Sequence, residues 1–147
     1  MYAYLQGKFS FKNPAQVYLD VNGVGYEVNI SLNTYAHIQG SESGKLYTYL
    51  QVKEDAHTLY GFFEKGEKEM FIQLISVSGI GAATARMMLS QLKPSELHAA
   101  ILQGNHRLLE SIKGIGKKTA ERLVLELRDN NKCSFAINVT PQPVMFC

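Results

Sequence analysis

Two stretches of this chain are near-copies of one another, and their residue types are those that can hold a phosphate. Residues 74–89 read LISVSGIGAATARMML and residues 109–124 read LESIKGIGKKTAERLV, 35 positions apart (114 − 79). They share Leu74/Leu109, Ser76/Ser111, Gly79/Gly114, Ile80/Ile115, Gly81/Gly116, Thr84/Thr119 and Ala85/Ala120. Each copy is an apolar helical stretch, a Gly-Ile-Gly turn and a second helical stretch. Both glycines of each turn are expected to use their tolerance of positive φ to close it tightly. Lacking a Cβ, they also let a phosphate come close to the backbone. The turn opens into a helix whose first N–H groups have no partner inside the helix. With the helix dipole, those groups form an anion site. The candidate binding residues are Gly79, Gly81, Ala82 and Ala83 in the first copy and Gly114, Gly116, Lys117 and Lys118 in the second. Arg122 lies one helical turn past Lys118 and is expected on the same side. Ile80 and Ile115 are expected to point inward and pin each turn to its own helices.

This is the pattern of a helix-hairpin-helix, which fixes a protein on a nucleic-acid backbone without reading bases. A repeated helical unit can also be purely structural, one copy burying the other. The basic residues of the second copy favour nucleic acid. Residues 107–122 carry Arg107, Lys113, Lys117, Lys118 and Arg122 against Glu110 and Glu121, although the formal charge of the whole chain is only +2. The basic footprint is therefore local. The first copy has Ala82 and Ala83 where the second has lysines, so it offers backbone N–H groups with little charge. A duplicated phosphate site on a nearly neutral chain implies a modest grip per copy, strengthened when several copies act together.

Other chemistries fit less well. In a helix-hairpin-helix glycosylase or lyase, Lys113 would be the nucleophile and Asp129 the nearest downstream acid, but Asp129 lies too close behind the turn. Gly116-Lys117 is not a P-loop, because Ser111 stands where a glycine is needed and Lys118 where a Ser or Thr is needed. Any ATP hydrolysis must come from a partner. Cys133 and Cys147 lie near the C-terminus without a CxxC, which argues against zinc, any other metal and a disulfide framework. No cofactor is expected. No apolar run approaches the ~20 residues of a membrane span, and the N-terminus lacks a signal-peptide core. A cytoplasmic, reducing compartment fits.

The elements that must position these residues fall into two sets. Residues 1–63 read as strands. Val17, Leu19 and Val21 alternate with polar neighbours, as do Tyr26, Val28 and Ile30, and Asn22-Gly23 between them signals a tight hairpin. A short helix over residues 31–38 is expected next. Strands over 45–52 and 58–63 follow, with Leu46, Thr48, Leu50 and Val52 on one face. Five strands with one short helix suit a small Greek-key barrel of OB type. The eight tyrosines could stack on bases of a single strand, though such residues more often serve the core or the sheet face. The period turns helical after Glu64-Lys65-Gly66, which reads as a polar linker with a breaker. Pro94 opens a further helix and Gly104-Asn105 ends it. The fold expected is α+β and multidomain: a five-stranded OB-type barrel over 1–63, an all-α tandem helix-hairpin-helix domain over 64–130, and a linker or disordered tail over 131–147.

An OB-like domain followed by tandem Gly-Ile-Gly hairpins resembles the RuvA family, the Holliday-junction recognition subunits of the bacterial branch-migration machine. The resemblance covers about residues 1–130, and its most specific elements are GIGKKTAERL (114–123) and KEDAHTLYGF (53–62). It implies a homotetramer, alone or as two tetramers per junction, that holds an opened four-way DNA junction for branch migration in recombination and repair. It implies that the hairpins grip the arms and that Glu54 and Asp55 form an acidic pin at the crossover, repelling phosphates and keeping strands apart. It also implies a non-catalytic subunit that works with the motor ATPase RuvB and the resolvase RuvC. Family members continue into a small helical domain that contacts the motor. This chain stops where that domain would begin, which leads us to expect either a shortened form or altered motor coupling. Without the resemblance, the same residues allow a generic helix-hairpin-helix DNA binder or a single-strand-binding OB protein.

Overall fold

The computed structural model describes the backbone of residues 2–139 and the side chains of residues 2–128. Asp129, Cys133 and Cys147 therefore lie outside the described side chains. Among the described residues the elements are β1 (Tyr4–Lys12), β2 (Gln16–Val21), β3 (Val24–Ile30), α1 (Leu32–Ile38), β4 (Ser43–Val52) and β5 (His57–Phe62). They continue with α2 (Lys65–Ile75), α3 (Ala82–Gln91), α4 (Pro94–Gln103), α5 (His106–Glu110) and α6 (Lys117–Val139). The chain packs as two compact units. Among the described residues, the first comprises those up to Glu69 together with Leu89–Gln91; the second comprises Met70–Met88 and those from Leu92 onward.

The first unit is a closed barrel with strand order β1-β2-β3-β5-β4. All its pairings are antiparallel except β3 with β5. The period-two alternation of β2 and β3 puts Val17, Leu19, Val28 and Ile30 in the core, with Leu5, Leu46 and Ile38 of α1 packed against them. The β2–β3 turn is built as its sequence requires. Asn22 and Gly23 both have positive φ (52° and 90°), and the Gly23 N–H donates to Asp20 Oδ1 at 2.8 Å. That geometry matches the twist of the two strands it joins. Ser31 caps α1 by accepting from the Thr34 N–H. Lys12 Nζ closes the other end of that helix, donating to the carbonyls of Ile38, Gln39 and Ser41. A cation at a helix C-terminus is favourable by dipole and hydrogen bond alike.

Val52 shares its face of β4 with Leu46 and Thr48 but, unlike them, is 53% exposed. The reason is register. β1 pairs β4 only as far as Tyr47, and β3 pairs β5 only over Leu59–Gly61, so the Gln51↔Thr58 and Val52↔His57 pairs have no third strand beside them. They project from the barrel as a two-stranded arm. Two expectations about these elements need correction. Glu64-Lys65-Gly66 is not a linker. Helix α2 begins at Lys65, and Glu67 in its first turn is fully buried. Finally, α6 runs to Val139, beyond the boundary expected at Asn130. Asparagine costs only a fraction of a kcal/mol inside a helix, roughly 0.7 against alanine, and the first strong breaker after it is Pro141.

The second unit is helical, with a core that includes Phe71, Leu74, Ala85, Leu97, Ile101 and Leu123. Glu96 Oε1 accepts from the Lys93 N–H at 3.0 Å and secures the start of α4. Gly104, at φ 67°, ends that helix in a left-handed cap. Asn105 Oδ1 then accepts from the Leu108 N–H and starts α5.

Candidate nucleic-acid interface

The two hairpins repeat one another hydrogen bond by hydrogen bond. In the first, Ser76 N–H donates to the carbonyls of Ile72 and Gln73, Val77 N–H to Leu74, Ile80 N–H to Val77, and Ala85 N–H to Gly81. In the second, Ser111 N–H donates to Arg107 and Leu108, Ile112 N–H to Leu109, Ile115 N–H to Ile112, and Ala120 N–H to Gly116. The hydroxyls follow suit, Ser76 Oγ donating to the Gln73 carbonyl and Ser111 Oγ to that of Leu108. Ile80 and Ile115 are buried in their own turns, 5% and 6% exposed. Burying a side chain of that size contributes about 2 kcal/mol each. The sequence repeat is therefore a repeat of structure at atomic detail.

Within each Gly-Ile-Gly the two glycines do different jobs. Only the first uses its conformational freedom, with φ 95° at Gly79 and 92° at Gly114. The second does not. Gly81 is an extended N-cap at φ −89°, and neither Gly81 nor Gly116 has a positive φ. A Cβ built on Gly81 or Gly116 would meet nothing within 4 Å. No contact within the chain and no positive φ calls for glycine there, whereas a ligand pressed against the backbone would.

The first turns of α3 and α6 hold no acidic residue that would satisfy their N–H groups or complement their dipoles. Ala82 is buried and Ala83 exposed, so the first hairpin presents backbone without a cation at the two positions that are lysine in the second; its one basic residue on α3 is Arg86, a turn further on. Lys117 and Lys118 are both exposed in the first turn of α6. A cation at a helix N-terminus opposes the dipole, so these lysines do not serve the stability of their helix. They leave the exposed N-terminus of α6 electropositive.

Arg122 makes a contact that the sequence reading did not include. Its Nη1 donates to the Ser78 carbonyl in the first hairpin at 3.1 Å, 44 positions away in sequence. The spacing from Lys118 gave no sign of this, because the acceptor is a backbone carbonyl that any residue would carry. Glu54 and Asp55 sit at the tip of the projecting β4–β5 arm, both exposed, with Lys53 N–H donating to the Ala56 carbonyl at 2.8 Å below them. Among the described residues no cluster of His, Cys, Asp or Glu could hold a metal, and no helix is long and apolar enough to cross a membrane. Of the barrel tyrosines, Tyr2, Tyr4 and Tyr18 are exposed and Tyr60 is buried. Lys45 Nζ lies over the rings of Tyr4 and Tyr47, at 4.4 and 5.1 Å from their centroids.

A closed five-stranded barrel followed by a repeated Gly-Ile-Gly hairpin between helices defines an OB-type, tandem helix-hairpin-helix protein. Residues 1–61 match the family described as RuvA N terminal domain, and residues 71–129 match the SAM-like helix-hairpin-helix tandem. Several curated relatives carry the name Holliday junction branch migration complex subunit RuvA. That of Christiangramia forsetii is 54% identical over 129 residues, covering 88% of this chain and 67% of the relative. That of Bacteroides fragilis is 52% identical over 132 residues, covering 90% and 66%. That of Geobacter metallireducens is 54% identical over 132 residues, covering 88% and 65%. The chain belongs to the RuvA family, and it spans about two thirds of the length of these relatives.

Proposed function

We propose that this chain binds four-way DNA junctions by their backbone geometry, without reading sequence, as the non-catalytic DNA-holding subunit of a branch migration complex. The carrying observation is the exact repetition of the hairpin, with a second glycine in each copy that nothing inside the protein requires. The phosphate contacts fall to the backbone N–H groups of Gly81, Ala82 and Ala83, to those of Gly116, Lys117 and Lys118, and to the two lysine side chains. Gly79 and Gly114 shape the turns that aim them. Such contacts position a protein on a phosphodiester chain and carry no base information.

One protomer offers two such turns. Four protomers around one junction would give each arm its own pair, and the modest grip of each would multiply. In that arrangement Glu54 and Asp55 act as the acidic pin. Carried on an arm that leaves the barrel, four pairs of carboxylates at the crossover would repel phosphates and keep the exchanging strands apart. ATP hydrolysis and strand cleavage belong to partners, the motor RuvB and the resolvase RuvC, in the cytoplasm where DNA and motor meet. The test is a gel-shift salt titration of a four-way junction against a duplex of the same arm sequence. A junction preference that survives excess duplex competitor supports the reading. Equal weak binding to both would reduce the chain to a generic DNA-binding module.

A further inference from the structure

The bond from Arg122 to Ser78 joins the helix that opens from the second hairpin to the turn of the first. The acceptor lies between buried Val77 and Gly79, at the point where the first turn reverses with φ 95°. The guanidinium sits close over that reversal, with Nη1 3.8 Å from where a Cβ on Gly79 would stand. The link runs one way only. The position equivalent to Arg122 in the first copy is Met87 (122 − 35), whose side chain has no N–H to donate.

We propose that Arg122 is a positioning residue that fixes the separation of the two hairpin turns, rather than a phosphate ligand of the second hairpin. The inference rests on the nucleic-acid reading above. Phosphates on a DNA strand come at fixed intervals, so two backbone-binding turns engage one arm together only if their spacing matches. If that spacing wanders, one turn binds while the other misses, and the gain from having two is lost. The first hairpin has alanines at 82 and 83 where the second has two lysines, and its only cation on α3 is Arg86, so its placement leans more on the protein than that of the second. A guanidinium held on a backbone carbonyl is a charge-assisted bond with directional preference, suited to bracing one turn against the other.

The test compares the full chain with Arg122→Ala and Arg122→Lys. It records amide resonances of residues 78–80 without DNA, and binding to a four-way junction and to a duplex across a salt series. Arg122→Ala, at an exposed position, is expected to melt like wild type, to shift the Ser78–Ile80 resonances and to lose about ten-fold in junction affinity. The slope of log affinity against log salt should stay at the wild-type value, since the turn that loses its register meets phosphate through neutral backbone N–H groups and no cationic contact is removed. Arg122→Lys, which keeps a donor of similar reach, should restore part of the affinity and move the resonances back. A slope reduced by about 0.9, the signature of one lost phosphate contact, would overturn the inference. So would resonances of residues 78–80 that do not move in Arg122→Ala. A wild-type chain with no salt-dependent DNA binding would overturn the nucleic-acid reading and the inference with it.

Discussion

Ser31 Oγ donates to Glu67 Oε2 at 2.5 Å, and both residues are fully buried. Thr34 Oγ1 donates to the other carboxylate oxygen at 2.6 Å and accepts from the Phe63 N–H. The first turn of α2 is thereby tied to the start of α1. Burial pushes the Glu67 carboxyl above its ordinary value of 4.5, and the hydrogen bonds from Ser31 and Thr34 pull it only part of the way back. A carboxyl whose folded pKa exceeds its unfolded one stabilises the fold fully below the unfolded value. That stabilisation is lost as pH rises through the folded value. Replacing Glu67 with Gln removes the titration. The melting temperature of wild type relative to Glu67→Gln is therefore expected to fall as pH is raised from 4.5 toward neutrality. His98, held below its usual range by burial, is common to both proteins and cancels. A difference that stays flat over that range would show that burial does not perturb Glu67.

The lysines of α6 should separate binding from stability. Lys117 and Lys118 stand at a helix N-terminus, where their charge opposes the dipole. Changing both to Ala is expected to leave the melting temperature unchanged or slightly raised. Junction binding should weaken uniformly across arm sequences, and the salt slope should drop by about 1.8, for two phosphate contacts at roughly 0.9 each. A changed sequence preference at unchanged affinity would count against phosphate contact.

Where structure is decided locally, it was legible in the residues. Asn22-Gly23 specifies its hairpin because those two residues tolerate the positive φ it needs. Val17 and Leu19 reveal their face because alternation is a property of the strand itself. The repeat at Gly79 and Gly114 located the candidate interface for the same reason. What escaped depends on partners distant in sequence. Gly66 looks like a breaker, yet α2 runs through it, because Glu67 is held by Ser31 and Thr34, more than thirty positions earlier. Val52 shares a face with buried Leu46, yet it is exposed because the neighbouring strands end before they reach it. Arg122 is aligned with Lys118 by helix geometry, yet it spends a donor on a carbonyl of the first hairpin.

The β4–β5 arm allows its charge to be changed without touching the barrel core. Glu54 and Asp55 are exposed at its tip. Changing them to Gln and Asn is expected to leave the fold intact and junction affinity equal or higher, because carboxylates near phosphates are repulsive. Strand separation at the crossover, read by fluorescence of a base analogue placed there, should fall. A large loss of affinity would mean that the two residues attract the DNA or its partner, and the repulsive pin would have to be abandoned.

The division of labour between the glycines gives the sharpest test of the interface. Gly79→Ala and Gly114→Ala force a side chain into positive φ, at a cost of about 1–2 kcal/mol each, and both should lower the melting temperature. At Gly81 and Gly116 the added methyl meets nothing within the chain. Loss of unfolded-state freedom favours alanine there, and the N-cap preference for glycine opposes it. The net change in stability should therefore stay within about 1 kcal/mol. Binding should behave the other way round. A methyl at residue 81 or 116 stands where a phosphate must approach the N–H groups, and each substitution is expected to weaken junction binding about ten-fold. Measured side by side, the four variants should fall into two classes, one defective in folding and one in DNA binding. If Gly81→Ala and Gly116→Ala bind as wild type does, no phosphate approaches at those turns, and the glycines there must be explained by something other than DNA.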